Sequence, residues 1–371
     1  MLPLPECAVV TVLLPLLFAC FKPVADLPPL NFDQVPYSND FLEVSDARVS
    51  VFDTSLTCPD GAPARVFALW REGLEADAPV AILLHGGAFD YVLAPATGDG
   101  RPARTYRADS RLTRPWSVTK VWETLGLNTL DPVDPQEANL GALPAALTDA
   151  GFVTIAPANC WGDLWHNEAG VVDNDVEAEG FARDGRAAAN NALRMVTEPD
   201  FALEQGFQLP VGLDTTQIHL VGIGDGGRGV AELLLREPAA AVAGALVDSP
   251  PDLLGAWLAD PVTFGDEAAG LLPIFGDDAL ARVDDFSLRA AAAAGRLPPR
   301  VGLVWSSADP QVPAAALAPT AAALAAAGAW VEDREDTAHT ALNSDIELAR
   351  AAALYLLDGT RPGDAPAPVA R

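Results

Sequence analysis

The chain has 371 residues and a formal net charge of −28, which comes from 51 acidic and 23 basic side chains. A surface this acidic repels phosphate backbones, so the composition excludes nucleic-acid binding as an expected function and favours solubility or adaptation to salt. Hydrophobic residues make up 50% of the chain, with 8 Trp and 14 Phe, which is enough for a packed core and excludes a disordered chain.

The first predicted segment is a short apolar run at residues 8–19, followed by Cys20. Because the run is too short to cross a bilayer as a helix, it predicts a signal peptide over residues 1–20. Residues 17–20, LFAC, resemble a bacterial lipobox, and that resemblance implies that Cys20 is lipidated after cleavage. We therefore expect an exported bacterial protein, periplasmic or anchored to the outer membrane through Cys20, with an ordinary signal peptide as the alternative.

The folded domain is expected over residues 41–360, between a proline-containing tether at 21–40 and a tail at 361–371. Cys58 and Cys160 lie inside this domain. In an oxidising compartment they permit one disulfide, and two buried free thiols are the alternative. Neither cysteine lies in a Cys-x-x-Cys spacing, and no metal or other cofactor is implied.

Strand and helix patterns alternate along this domain. Apolar segments predict strands at residues 48–52, 64–70, 80–84, 152–156, 218–223, 243–247, 301–305 and 330–332. Segments with helical spacing separate them, at residues 140–149, 182–196, 229–235, 314–327 and 344–357. This order predicts an α/β domain with a mostly parallel, doubly wound sheet that opens with an antiparallel pair. The connection at residues 92–138 is too long for a plain loop and is expected to form a lid-like insertion.

A glycine-rich turn follows the fifth predicted strand. Residues 217–231 read QIHLVGIGDGGRGVA, which predicts a buried strand, a tight turn and the start of a helix. This stretch resembles the nucleophile elbow Gly-x-Ser-x-Gly of α/β-hydrolases, where a serine stands on a strained strand-to-helix turn. In this frame Gly224 occupies the nucleophile position, so the serine is absent, and Asp225 is the next residue.

A second motif, HGGA at residues 85–88, follows the third predicted strand. It resembles the oxyanion loop of esterases and lipases, and the resemblance implies that the backbone N–H groups of Gly86, Gly87 and Ala88 hold a developing oxyanion. Over residues 48–358 the chain thus resembles the α/β-hydrolase superfamily, of the esterase, lipase or prolyl-oligopeptidase type.

The chain order of that superfamily is nucleophile, acid and histidine, which points to two further residues. Asp309 follows the seventh predicted strand, at the place of the acid, and His339 precedes the last predicted helix, at the place of the histidine. The resemblance implies that the carboxylate fixes the imidazole and that the imidazole takes the proton of the nucleophile. Asp248, at the end of the sixth predicted strand, is a second candidate acid.

Three hypotheses stay open for a hydrolase-like site without its serine. In the first, Gly224 cannot attack, and the protein is nucleophile-deficient and binds a small organic or peptide ligand. In the second, the protein is an active ester or peptide hydrolase that uses Asp225 as a carboxylate nucleophile with His339 and Asp309. In the third, the attacking hydroxyl belongs to a nearby serine, with Ser249, Ser306 and Ser307 as candidates.

The connection at residues 92–138 also carries six of the 23 basic residues. If it caps the site, Arg104 and Arg107 would recognise an anionic group through bidentate contacts. Trp161, in an aromatic loop, would line the same pocket. The alternatives are a solvated loop whose charges are neutralised by neighbouring carboxylates, and a tryptophan that packs in the core.

Overall fold

The computed structural model describes residues 47–57, 63–71, 73–74, 77–84, 142–157, 189–209, 211–224, 226–236, 242–250, 287–309, 312, 314–335, 341–343 and 345–361. The predicted leader and tether at residues 1–40, the lid-like connection at 92–138, residues 362–371 of the tail, Cys58 and Cys160 lie outside these residues, and they stay predictions.

One sheet runs through the described residues. Its strands are β1 (Ala47–Thr57), β2 (Pro63–Arg71), β3 (Ala78–Leu84), β4 (Val153–Pro157), β5 (Leu213–Ile223), β6 (Gly244–Asp248), β7 (Arg300–Trp305) and β8 (Trp330–Asp333). They lie in the order β1-β2-β4-β3-β5-β6-β7-β8. β2 pairs antiparallel with β1 and with β4, and all other neighbours are parallel. The predicted antiparallel opening pair and the mostly parallel sheet are therefore confirmed.

Helices follow the strands along the chain, as a doubly wound fold requires. In the described residues they are α1 (Ala142–Asp149), α2 (residues 189–197), α3 (Pro199–Glu204), α4 (Gly226–Arg236), α5 (Leu288–Ala293), α6 (Ala314–Ala326), a short 3₁₀ helix (Ala341–Asn343) and α7 (Ile346–Asp358). The sequence does not predict α3 and α5, because six residues are too few to show helical spacing. Within the described ranges, no helix is both long enough and apolar enough to cross a membrane.

Helices cover both faces of the sheet. On β3, Ile82 belongs to a core cluster with α2, α4, α5 and α6, and the next residue, Leu83, belongs to a second cluster with α1 and α7. The same alternation occurs on β5, where Leu220 and Val221 belong to opposite clusters. Because both faces are buried, the central strands are apolar on both sides, which explains the unbroken apolar runs in the sequence.

Helix α4 lies very close to the end of β5, and glycines make this approach possible. A Cβ atom on Gly222 would lie 2.5 Å from the nitrogen of Gly227 and 2.6 Å from the carbonyl carbon of Gly226. Gly227 is enclosed in turn, since a Cβ atom there would lie 2.6 Å from Cβ of Pro250. Contacts this short leave no room for a side chain, so packing requires glycine at both positions.

A buried histidine lies in the middle of the sheet. His219 on β5 is fully buried, its ring lies edge-on to Phe152, and neither ring nitrogen has a hydrogen-bond partner among the described residues. Its register partner Gly244 makes room for the ring, because a Cβ atom there would lie 2.7 Å from Nδ1. Burial, together with the positive charge of Arg300, lowers the pKa of His219 to about 3. This histidine is therefore a neutral core residue.

We expect the pH dependence of unfolding to change when His219 is replaced by Leu. A histidine in the unfolded chain binds a proton as the pH falls below 6.5, whereas the folded chain keeps His219 neutral down to about pH 3. The unfolded state binds more protons between these values, so His219 lowers the stability of the wild type by up to about 1.4 kcal/mol per pH unit as the pH falls. Urea unfolding of both proteins across this window measures the difference, and parallel stability curves would contradict it.

Gly222→Ala should destabilise the protein far more than Gly328→Ala. The new methyl group at position 222 meets the backbone of α4, whereas nothing lies within 4 Å of a Cβ atom on Gly328, which has a φ of +86°. The control substitution should therefore cost only the backbone strain, about 1–2 kcal/mol. We expect Gly222→Ala to lower the free energy of unfolding by at least about 4 kcal/mol in chemical denaturation. Equal losses would show that α4 can move away from the sheet.

Candidate functional site

The carboxyl ends of the parallel strands meet at one edge of the sheet, and the predicted site residues follow these ends. β5 ends directly before Gly224, and β6 ends with Asp248. β7 ends before the loop that carries Asp309. In open α/β sheets, ligands bind outside the carboxyl ends of the strands, so this edge is the candidate site.

Gly224 has the backbone conformation of a strained turn. Its φ is 52°. Its N–H donates to the carbonyl oxygen of Asp248 at 2.8 Å, and its own carbonyl accepts from the N–H of Gly227 at 3.0 Å. A residue with a side chain adopts this left-handed conformation only where its surroundings impose it. The structure thus shows a tight turn between β5 and α4 at which position 224 carries no side chain.

Asp309 lies in the loop after β7 and is only 7% exposed. Its Oδ1 accepts the N–H of Val312 at 3.1 Å, and its own N–H donates to the carbonyl of Ser306 at 3.2 Å. These two hydrogen bonds lie within the loop after β7.

Asp248, the second candidate acid, is fully buried at the end of β6. Its Oδ2 accepts the N–H of Leu342 at 2.7 Å, and its Oδ1 accepts the hydroxyl of Ser249 at 3.2 Å. Leu342 lies three residues after His339 in the chain. Asp248 thus contacts the short 3₁₀ helix Ala341–Asn343.

An ion pair links the end of β8 to the start of α7. Arg334 follows β8, and its guanidinium lies 2.9 Å from Oδ2 of Asp345, which precedes α7. Oδ1 of Asp345 also caps α7 by accepting the N–H of Leu348 at 3.0 Å. In sequence, His339 falls between these two anchors and outside the described residues.

The three candidate serines differ in exposure and in backbone conformation. Ser307 is exposed, and its backbone N–H donates to Oδ1 of Asp333 at 2.9 Å. Ser306 is buried, and its hydroxyl oxygen accepts a backbone N–H within its own turn at 3.0 Å. Ser249 is buried and has a φ of 47°, which is left-handed like that of the elbow glycine. Ser249 is therefore the one of the three with a left-handed backbone.

The other predicted site residues lie outside the described ranges, and their roles stay predictions. They are Asp225, His339, Gly86, Gly87, Ala88, Arg104, Arg107 and Trp161. The structure thus joins Gly224 to Asp248 by a hydrogen bond and places Asp309 at the same edge of the sheet. In the part of the chain that the structure describes, no group of three or more His, Cys, Asp or Glu side chains is placed to hold a metal ion.

Sequence patterns do not reveal the contact between Asp248 and Leu342, because these residues are 94 positions apart. They also do not reveal the left-handed backbone of Ser249. The one signal is the Ser249-Pro250 dipeptide after a buried strand, which marks a turn without giving its hand.

No protein-family model and no curated protein matches the chain. Solved structures do resemble it. An acylaminoacyl peptidase of Pyrococcus horikoshii aligns with a TM-score of 0.50 and 12% identity, over 85% of this chain and 41% of that chain. Esterase B from Lactobacillus rhamnosis aligns with a TM-score of 0.51 and 13% identity, over 85% of this chain and 87% of that chain. The chain thus spans well under half of the peptidase and most of the esterase.

These likenesses agree with the described architecture, in which helices cover both faces of a mostly parallel sheet and a glycine turn joins β5 to α4. At these identities the likeness concerns the fold. The chain has the α/β-hydrolase fold.

Proposed function

We propose that this α/β-hydrolase-fold protein is nucleophile-deficient and binds a small organic or peptide ligand at the carboxyl edge of its sheet. The observation that carries the proposal is Gly224, which has the left-handed backbone of an elbow residue, with a φ of 52°, and offers no atom that can attack. Loss of a nucleophilic serine lowers turnover by about 10⁶-fold, so the remaining groups would not sustain hydrolysis through the elbow.

A binding role is supported by the polar groups around the turn. Asp248 and Asp309 are buried at the ends of neighbouring strands. Burying a carboxylate costs stability unless hydrogen bonds compensate for the lost water, and proteins depart from an apolar interior mainly at functional sites. An edge that keeps two buried carboxylates beside a strained turn is therefore suited to holding a ligand.

The fold and the predicted lid both support a proposal for the chemical class of the ligand. The similar solved structures are an acylaminoacyl peptidase and an esterase, which supports an acyl or peptide compound as the ligand. Arg104 and Arg107 would favour a compound with an anionic group, because guanidinium binds carboxylate through two parallel hydrogen bonds.

One observation favours a second candidate function, an active ester or peptide hydrolase. Ser249 combines a φ of 47° with a hydroxyl that lies 3.2 Å from Oδ1 of Asp248. A strained residue at the end of a strand is typical of a catalytic nucleophile. In this case the hydroxyl of Ser249 would attack the carbonyl carbon, and His339 would accept its proton.

A fluorophosphonate probe should leave the wild type unlabelled and should label Gly224→Ser. The introduced hydroxyl would stand on the left-handed apex of the turn, and the predicted oxyanion loop and His339 would then activate it. Intact mass spectrometry after incubation measures the gain of one phosphonyl group, and peptide mapping locates it.

Gly224→Ala is the matched control, since it adds a Cβ atom at the same place without a hydroxyl. A label on the wild type at Ser249 that disappears in Ser249→Ala would overturn the nucleophile-deficient proposal and establish the second candidate. Ester hydrolysis by the wild type that is lost in Asp225→Asn would instead support the carboxylate nucleophile.

Compounds with a free carboxylate should bind better than their methyl esters in a thermal-shift screen of N-acyl amino acids and short peptides. Arg104→Ala and Arg107→Ala should each weaken binding of the best carboxylate by about tenfold, because each removes a charge-assisted hydrogen bond. Arg361→Ala is the control, since this side chain is exposed on the segment after α7. Equal binding by all three variants would leave the 92–138 connection without a role in recognition.

A further inference from the structure

Two buried polar side chains lie in one row of the sheet. In the register of the strands, Ala81 on β3 is level with Thr154 on β4 and with His219 on β5. Thr154 is 1% exposed and His219 is 0% exposed. Neither the hydroxyl of Thr154 nor either ring nitrogen of His219 has a hydrogen-bond partner among the described residues. Buried polar groups are normally hydrogen-bonded, so this row calls for an explanation.

Both side chains stand on the same face of the sheet. Phe152 and Ala156 lie two residues before and after Thr154, and both belong to the core cluster with α1 and α7. Val221, two residues after His219, belongs to the same cluster. Because alternate residues of a strand point to the same face, Thr154 and His219 both lie beneath α1 and α7.

The row is enclosed by apolar elements. Helix α1 packs on β2 and β4, α7 packs on β6 and β7, and the two helices contact each other. The residue between the two polar side chains is Ala81, whose side chain is one methyl group. The ring of Phe152 lies edge-on to the imidazole, with centroids 5.4 Å apart. These walls exclude bulk solvent from the hydroxyl and the imidazole.

The orientation of the imidazole distinguishes its two nitrogens. A Cβ atom on Gly244, the register partner of His219 on β6, would have Nδ1 as its nearest neighbour, at 2.7 Å. The ring thus turns Nδ1 toward β6. Nε2 is therefore the nitrogen that is better placed for a partner on the side of β3 and Thr154.

The chemistry of the row selects a neutral molecule that both donates and accepts hydrogen bonds. Burial lowers the pKa of His219 to about 3, so the ring is neutral near neutral pH and has one donor and one acceptor nitrogen. A threonine hydroxyl also donates and accepts. Apolar walls disfavour any ion, and the positive charge of Arg300 near the ring disfavours a cation further. Water has the required chemistry, and internal waters commonly bond to buried polar groups of this kind.

We propose that the enclosed row between β4 and β5 is a binding site for one internal water molecule, which bridges the hydroxyl of Thr154 and the imidazole of His219. Neighbouring strands lie about 4.8 Å apart, so these two backbones are about 10 Å apart across β3. Two hydrogen bonds of about 2.8 Å let one water join polar atoms up to about 5.5 Å apart, a separation that fits side chains on either side of Ala81. The site is separate from the carboxyl edge and does not depend on the proposed function.

The sign of the effect of Thr154→Val on stability tests the proposal. Valine keeps the shape of threonine and removes the hydroxyl. If water bridges the two side chains, the substitution leaves it short of a partner, and the folded-to-unfolded ratio should fall by at least about fivefold. If the row is dry, the substitution removes an unpartnered buried hydroxyl, and the ratio should rise. Urea unfolding at about pH 8, where histidine is neutral in both states, measures the ratio, and a rise would overturn the proposal.

The bridge also predicts that Thr154 and His219 are energetically coupled. In a His219→Leu background the water has already lost the imidazole, so Thr154→Val should change the ratio by less than about twofold. Thr148→Val is the matched control, because this buried hydroxyl on α1 donates to the carbonyl of Pro144 at 2.8 Å. The control should have the same effect in both backgrounds. Equal effects of Thr154→Val in the two backgrounds would contradict the bridge.

A high-resolution crystal structure gives a direct readout. We expect electron density for one water within about 3.2 Å of both Oγ1 of Thr154 and Nε2 of His219, and we expect that density to be lost in Thr154→Val. A dry row, or a direct hydrogen bond between the two side chains, would overturn the proposal. Either result would leave the proposed function at the carboxyl edge unaffected, because that function rests on other residues.

Discussion

The candidate site depends on a steric constraint. The backbone at the end of β5 lies directly against the backbone of the first turn of α4. A side chain on Gly222 would reach within 2.5 Å of the Gly227 nitrogen, so the helix packs closer to the strand than any intervening side chain would allow. This approach leaves a tight turn at Gly224 and directs its N–H to the end of β6. The relation of β5, α4 and β6 at the carboxyl edge follows from that contact.

Buried polar side chains in the middle of the sheet and at its carboxyl edge differ in their hydrogen bonding. His219, in the middle, has no hydrogen-bond partner among the described residues, and burial keeps it neutral. At the edge, Asp248 and Asp309 are also buried, yet their oxygens accept backbone N–H groups from the loops that follow the strands. The edge thus holds its buried carboxyl groups through hydrogen bonds, whereas burial keeps His219 in the middle of the sheet neutral.

Periodicity and turn chemistry predict most of the described fold, because each β strand and each long helix has a local signature. The unbroken apolar run that ends at Leu84 indicates a buried strand, and the glycines after Ile223 indicate the elbow, through residue type and spacing alone. Local patterns do not contain the contact of Asp248 with Leu342 or the φ of Ser249, since both depend on elements that are distant in sequence. The position of Asp309 follows from chain order within a superfamily, and the lid-like connection and His339 fall outside the described residues.

The turn at Gly224 is held by main-chain atoms alone in the bonds described for it. Its left-handed conformation is accompanied by hydrogen bonds to Asp248 and Gly227 that involve only main-chain atoms. Exchange between serine and glycine at this position therefore leaves the architecture of the turn in place. A side chain added at position 224 would therefore carry the strain of a left-handed backbone without removing either hydrogen bond of the turn.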